Sequence, residues 1–336
     1  MSHHADTESM KAVVLHSDVP EDAGMDEKDA LVQAAVVSSA LSELGYESAT
    51  MPFSLNVTHI IDILRDMRPA FVFNIVETMA GQGSLIHIAP SVLDFLRIPY
   101  TGAGTEATFF TSNKVLAKNI LNAAGIATPP LFLPLENYGG HFVEGTYIIK
   151  AVWEHASTWL HSDSIIHVKD LNQLREAMAS RQKQLGMACF AEAFIEGREF
   201  NLSLLAGDGG PHVLAPAEIR FDDFPPGKVR VVDYLSKWVE DSFEYHHTPR
   251  CFDFPEEDAS LLLLLTDLAL QCWRVFGLRG YARVDFRIDK TGKPWVLEVN
   301  TNPCLSPDGG FYAAVERSGL SFTRAIERIV RDAISP

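Results

Sequence analysis

The chain has 336 residues, 47% hydrophobic and 21% charged, a globular balance with room for two or three domains of ordinary size. A formal charge of -16 argues against the concentrated basic surface that binds nucleic-acid phosphates, and no apolar run is long enough to span a bilayer. Four cysteines, Cys189, Cys251, Cys272 and Cys304, form neither a C-x-x-C pair nor a disulfide framework, and no signal peptide opens the chain, so a reducing cytoplasmic setting without membrane or nucleic-acid partners is expected.

In chain order, "KAVVLH" at 11 to 16 reads as a strand, Asp29 to Leu44 as an amphipathic helix and "AFVFNIV" at 70 to 76 as a second strand, the βαβ rhythm of a parallel sheet. "RIPYTGAGT" is a turn-rich break. Thr111 and Ser112 then offer N-caps for a helix to about Ala124, closed by Gly125 and stopped by Pro129 and Pro130. "TYIIKAV" at 146 to 152, "LNQLREAMASRQKQLG" at 171 to 186 and "ACFAEAFI" at 188 to 195 give strand, helix and strand in an α+β pattern. Two more strands follow, then a polar and aromatic loop from about Arg220 to Arg250. A helix from about Pro255 to Phe276 contains "LLLLL" at 261 to 265, which reads as buried helix, and a hairpin and a final helix close the chain.

The hairpin "GYARVDFRIDKTGKPWVLEVNTNP" carries acids inside its strands. Alternation puts Arg283, Asp285 and Arg287 on one face of the first strand, and Glu298 and Asn300 on one face of the second, opposite Trp295, Leu297 and Val299. A turn centred on Thr291-Gly292 pairs Lys290 with Lys293, Asp285 with Glu298 and Arg283 with Asn300. Two carboxylates about 5 Å apart repel by a few kcal/mol unless something offsets them. A hard divalent cation is one solution, with Asn300 as a further oxygen ligand; a salt-bridge lattice with Arg283 and Arg287 is the other.

From "RVD" and "EVN" outward, the sequence resembles the D-alanine–D-alanine ligase branch of the ATP-grasp superfamily. The resemblance implies an ATP-grasp fold, α/β and α+β, in three domains: an N-terminal Rossmann-like parallel sheet over 1–106, a central α+β lid over 107–190 and a C-terminal catalytic domain with an antiparallel sheet over 191–336. It further implies ATP and two Mg²⁺ or Mn²⁺ ions, the metals on Asp285, Glu298 and Asn300, with Arg283 stabilising charge at the attacked carbonyl. "TSNKVLAKNILNAAGIATPP" would bring Lys114 to the nucleotide phosphates, and "YIIKAV" would bring Lys150. In "AEAFIEGREF", Glu192 and the backbone near Phe194 and Ile195 would read adenine, and Glu199 the ribose hydroxyls. "VVDYLSKW" would set Lys237 near the γ-phosphate. The implied activity is amide-bond formation between small amino acids or similar substrates through an acyl phosphate, in a homodimer. An authentic D-alanine–D-alanine ligase and a nucleotide-binding regulator without turnover are the alternatives.

Departures from the family pattern gather around the amino-acid substrate. The loop "WEHASTWL" keeps Ser157 toward phosphate but has Ala156 where a substrate-orienting serine is usual, and His155 and Trp159 in place of glycines, a stiffer and more aromatic lid. Trp238 replaces a tyrosine, Cys304 a glycine, and Gly309 a serine that holds a substrate carboxylate. No E-x-x-V-S motif follows the first strand. Asp18, Glu21, Asp22 and Asp26 are either a replacement ammonium site or a solvated loop, and His16, at the ligand edge of a parallel sheet, is either a substrate contact or a core group.

Overall fold

The computed structural model describes residues 10–133, 142–153, 160 and 162–335. The first hundred residues form a parallel sheet of order β2-β1-β3, from β1 (Lys11–Ser17), α1 (Met25–Glu43), β2 (Glu47–Phe53), α2 (Val57–Met67) and β3 (Phe71–Ile75), followed by α3 (Ile88–Leu96). The middle strand β1 is apolar from Ala12 to Leu15 because both of its faces are covered there. Ala12 and Val14 pack with α1, and Val13 and Leu15 with α2 and α3. Strand β2, "ESATMPF", carries no apolar alternation at its start, where it is mostly exposed, which is why its sequence gives no strand signal.

The next elements are α4 (Thr105–Ser112), α5 (Lys114–Ala123), β4 (Leu131–Phe132), β5 (Gly145–Ala151), β6 (Ile165–Val168), α6 (Leu171–Leu185) and β7 (Cys189–Ala193). The helix expected to be capped by Thr111 or Ser112 is capped instead by Asn113. The Asn113 side chain accepts from Val115 N and Leu116 N at 3.1 and 3.0 Å, whereas Thr111 Oγ1 is bound to the Ala107 carbonyl of α4 at 2.8 Å. The strands form an antiparallel sheet, β4-β7-β5-β6, with α6 on one face. The expected domain borders at 106 and 190 fall inside α4 and β7, and all of β7 pairs within this sheet.

The third sheet has the order β11-β10-β8-β12-β13, with β9 on β8. Its elements are β8 (Gly197–Leu205), β9 (His212–Val213), β10 (Ala217–Ile219), α7 (Tyr234–Trp238), α8 (Phe243–His246), β11 (Arg250–Cys251), α9 (Ala259–Val275), β12 (Tyr281–Asp289) and β13 (Pro294–Asn300). The chain ends with α10 (Gly310–Arg317) and α11 (Phe322–Ile334). One face, including Phe200, Leu202, Val284 and Phe286, packs on α9 through Leu265, Ala269, Cys272 and Trp273. Since α9 lies on a single sheet face, "LLLLL" is only partly buried: Leu265 is inside, but Leu263 is 73% exposed. The core of the first sheet continues without a seam into α10, α11 and Tyr281.

The hairpin departs from simple alternation. Asp285 pairs with Glu298 and Arg283 with Asn300, but toward the turn the register shifts by one, so that Phe286 faces Val296 and Ile288 faces Pro294. Asp289 N donates to the Lys293 carbonyl, so the pairing of Lys290 with Lys293 does not form. The extra residue is Leu297: Val296 and Val299 are both in the core, while Leu297 lines a cavity with Glu298.

Gly197 begins β8 against the end of β12, where an added Cβ would stand 1.8 Å from the Ile288 carbonyl oxygen. Gly197→Ala is therefore expected to lower stability by about 2 kcal/mol or more, read as a lower urea midpoint at unchanged m value.

Candidate active site

The face of the third sheet opposite α9 is polar. Strand pairing sets Asn201 of β8 and Glu298 of β13 on either side of Asp285, while Arg287 lies beside Glu199. These groups face a cavity of about 560 Å³. Lys114 reaches it from the start of α5, Lys150 from β5 and Glu192 from β7, with Phe194 and Ile195 just beyond. Lys237, Trp238, Arg283, Asn300, Cys304 and Gly309 also line it. His155, Ser157 and Trp159 lie outside the described residues. His16 does not line the cavity: it is 6% exposed at the end of β1 and its Nδ1 is 2.8 Å from the Ser17 carbonyl, a core position rather than a substrate contact.

Paired cations resolve the repulsion in the hairpin. Arg283 binds Asp285 through both oxygens, at 2.7 and 2.8 Å, and Asn201 Nδ2 donates to Asp285 Oδ1 at 2.8 Å. Glu298 instead meets Lys114, 2.7 Å away. Burial works against ionisation of Glu298, but Lys114, Lys237 and Arg283 more than offset it and hold the carboxyl well below the usual range. Arg287 takes no part in this lattice; it is committed to Glu199 at 2.6 Å and to the Arg230 carbonyl at 2.5 Å.

Glu192 is 1% exposed and sits between Lys150 at 2.5 Å and Lys118 at 2.6 Å. Burial alone would raise its pKa, and the two lysines reverse that and keep it ionised. Burial lowers the pKa of Lys118, which also donates to Thr128 Oγ1 at 2.9 Å and to the Leu297 carbonyl at 3.2 Å. Lys118 went unassigned in the sequence, although its four-residue offset from Lys114 on one helix face is a usable signal.

Two further acids on the cavity wall were not assigned either. Asp29 accepts from Gln33 Nε2 at 2.9 Å, Cys304 Sγ at 3.1 Å and Ser306 Oγ. Glu77, just past β3, accepts from the same Gln33 nitrogen at 3.1 Å. Gln33 is fixed in this orientation because its oxygen receives Leu305 N at 3.0 Å. Desolvation pushes the Glu77 carboxyl up to about 7, with nearby Asp29 adding to the rise and Gln33, Lys237 and Arg283 opposing it. Asp18, Glu21 and Asp22 are exposed and away from the cavity, and Asp26 does not line it. Among the described residues, no cluster of three or more His, Cys, Asp or Glu side chains has metal-holding geometry.

A family model described as "D-ala D-ala ligase C-terminus" matches residues 161–331, just over half of the chain. The chain belongs to the D-alanine–D-alanine ligase family. A D-alanine–D-alanine ligase of Moorella thermoacetica is 28% identical over 315 residues, covering 91% of this chain and 94% of the relative. An uncharacterised protein of Sinorhizobium fredii, y4sG, is 26% identical over 305 residues, covering 88% and 85%. The crystal structure of a Bacillus anthracis D-alanine–D-alanine ligase complexed with ATP superposes with a TM-score of 0.71 at 18% identity, covering 97% of this chain and 98% of that one. The fold is thus the ATP-grasp fold of that family, and the protein is an ATP-dependent ligase forming carbon–nitrogen bonds. Within this member of the D-alanine–D-alanine ligase family, Trp238, Cys304 and Gly309 all lie on the cavity wall.

Removing Glu192 would strand Lys118 as a buried charge. Glu192→Ala is expected to cost about 3–5 kcal/mol, measured by urea denaturation. For Glu77, the folded pKa of about 7 lies above the ordinary 4.5, so the native state holds the proton more tightly than the unfolded chain. That contribution is complete below pH 4.5 and is lost as pH rises through 7. Relative to wild type, Glu77→Gln is expected to gain stability between pH 4.5 and about pH 8, read from urea midpoints at the two values.

Proposed function

We propose that the protein joins a small amino acid or similar carboxylic acid to an amine, by way of an acyl phosphate, with release of ADP and phosphate. The observation that carries this reading is the convergence of Lys114, Lys150, Lys237 and Arg283 on one cavity floored by Asp285, Glu298 and Asn300. Lysines on one wall suit a triphosphate, while a carboxylate-rich floor is costly without cations.

Lys114, Lys150 and Lys237 would hold the phosphates, and Phe194, Ile195 and Glu199 the nucleoside. Glu192 acts through the lysines it clamps. Asp285, Glu298 and Asn300 present only hard oxygen donors, a set that fits divalent magnesium, and they would hold two such ions, which neutralise phosphate charge when bound. In the first step an oxygen of the substrate carboxylate bonds to the γ-phosphorus and the bond to the ADP oxygen breaks. In the second, the amine nitrogen bonds to the acyl carbon, its proton leaves, and the bond to phosphate breaks. Arg283, a residue of β12 oriented by Asp285, faces the oxyanion formed between these events. Asp29 and Glu77 form the acidic corner that takes a substrate ammonium, in place of the exposed loop of Asp18, Glu21 and Asp22. The four-stranded sheet would close over the cavity as a lid hinged near 187 to 195, keeping water from the acyl phosphate.

The cavity residues Trp238, Cys304 and Gly309 favour substrates other than a pair of D-alanines. ADP release is expected to rise when amino acids are supplied singly or in pairs, with D-alanine alone giving a weak response. ATP binding without amino-acid-stimulated turnover across a broad panel would support a regulator instead. Glu298→Gln is expected to reduce turnover about 100-fold or more while leaving the far-UV circular dichroism unchanged.

A further inference from the structure

Arg287, on the polar face of β12, is 3% exposed, and its one guanidinium serves three separate segments of the chain. Its Nη2 lies 2.6 Å from the Glu199 carboxylate of β8 and donates to the Arg230 carbonyl at 2.5 Å, while its Nη1 donates to the carbonyls of Ile195 and Gly197 at 3.4 and 3.3 Å. The rings of Phe194 and Phe221 cover it, with their centres 5.5 and 5.4 Å from its central carbon. Gly197 brings the backbone of 195 to 197 within reach, because without a side chain it lies against the end of β12.

Two of the segments belong to the nucleoside end of the cavity, which is lined by Phe194, Ile195 and Glu199. The third is the stretch 220–233 between β10 and α7, made of turns and extended backbone. It packs largely on its own continuation: Phe221 meets Phe224, Phe224 meets Phe243 of α8, and Lys228 pairs with Glu244 at 2.6 Å. Just past Arg230, Val231 and Val232 reach the cavity wall, and Asp233 caps the helix α7 that carries Lys237 there. A bond to the Arg230 carbonyl therefore fastens the base of the Lys237 loop to the floor of the third sheet.

We propose that Arg287 is a positioning residue that couples the nucleoside subsite to the loop carrying Lys237, so that a nucleoside bound at Glu199 places a phosphate-binding lysine it does not touch. This rests on the nucleoside placement given above. A ribose hydroxyl donating to Glu199 fixes the carboxylate, and the carboxylate fixes the plane of the guanidinium wedged between the two rings. That plane decides whether Nη2 meets the Arg230 carbonyl. Only a planar fork with several donors answers a carboxylate and carbonyls on different sides at once; an ammonium group supplies the charge without the fork.

Trypsin reads the loop directly, since Lys228 and Arg230 lie in it, and adenosine probes the nucleoside subsite with no phosphate to attract Lys237. Adenosine at saturation, set by calorimetry, is expected to slow cleavage of wild type after Lys228 and Arg230 about 5-fold or more. In Arg287→Lys, adenosine and ATP are expected to bind within about threefold of wild type, while the protection disappears and kcat for ADP release falls about 10-fold. Phe221→Leu leaves the guanidinium and its hydrogen bonds in place and is expected to lose part of the protection at unchanged Tm; it decides the matter if Arg287→Lys does not fold. Full protection kept in Arg287→Lys, or in Phe221→Leu where that variant decides, overturns the coupling. Adenosine that binds wild type without slowing cleavage overturns it too, and in each case ATP binding leaves the nucleotide reading intact. A wild type that binds neither adenosine nor ATP removes the nucleoside placement, and the coupling falls with it.

Discussion

A single buried ammonium group ties the site together. Lys118, 2% exposed, has Glu192 of the four-stranded sheet on one side and the Leu297 carbonyl of the third sheet on the other. Thr128, which accepts from Lys118, donates to the adjacent Val296 carbonyl at 2.8 Å, and Val296 N returns a hydrogen bond to Ala127 at 2.8 Å. These contacts hold the bulge in β13. The bulge in turn sets Glu298 opposite Asp285, and without it the turn register would put Leu297 in that place. The placement of the two hairpin acids thus depends on a lysine that faces neither of them.

Much of this was legible in the sequence where chemistry and periodicity agree. The strand β12 has strict alternation, so its polar and apolar faces follow from the residues alone. The same reasoning missed the bulge, because an inserted residue is invisible to a period of two; two register errors of one residue cancelled at the acid pair. The positions of Lys114, Lys150 and Lys237 came through resemblance, since a lone lysine on a strand or helix carries no local signature.

What stayed hidden depends on distant parts of the chain meeting. Asp29 looks like one more acid in an acidic stretch. Its difference from Asp18 or Glu21 is Gln33, one helical turn on, whose amide is oriented by a backbone group of residue 305. Glu77 is likewise ordinary in sequence and becomes distinctive through the burial of its carboxyl beside Asp29. Of the two readings of the hairpin, the ion pairs are the one seen, with Lys114 in the place expected of Arg287: the cations that neutralise Asp285 and Glu298 are Arg283 and Lys114, and both line the same cavity.

The distribution of apolar packing has a mechanical consequence. The parallel sheet, α1, α10, α11 and part of the third sheet share one continuous core, so moving the N-terminal sheet away from the C-terminal one would expose Phe71, Tyr281, Phe311 and Phe322 together. The four-stranded sheet has its own small core against α6, and a second patch of three buried residues among those described, Leu131, Val152 and Phe190, packs near Val115 of α5. Sliding that patch exposes little apolar surface. In the lid movement proposed above, the moving part would carry Lys150 and Glu192, and the buried pair of Glu192 with Lys118, more than apolar surface, would resist it.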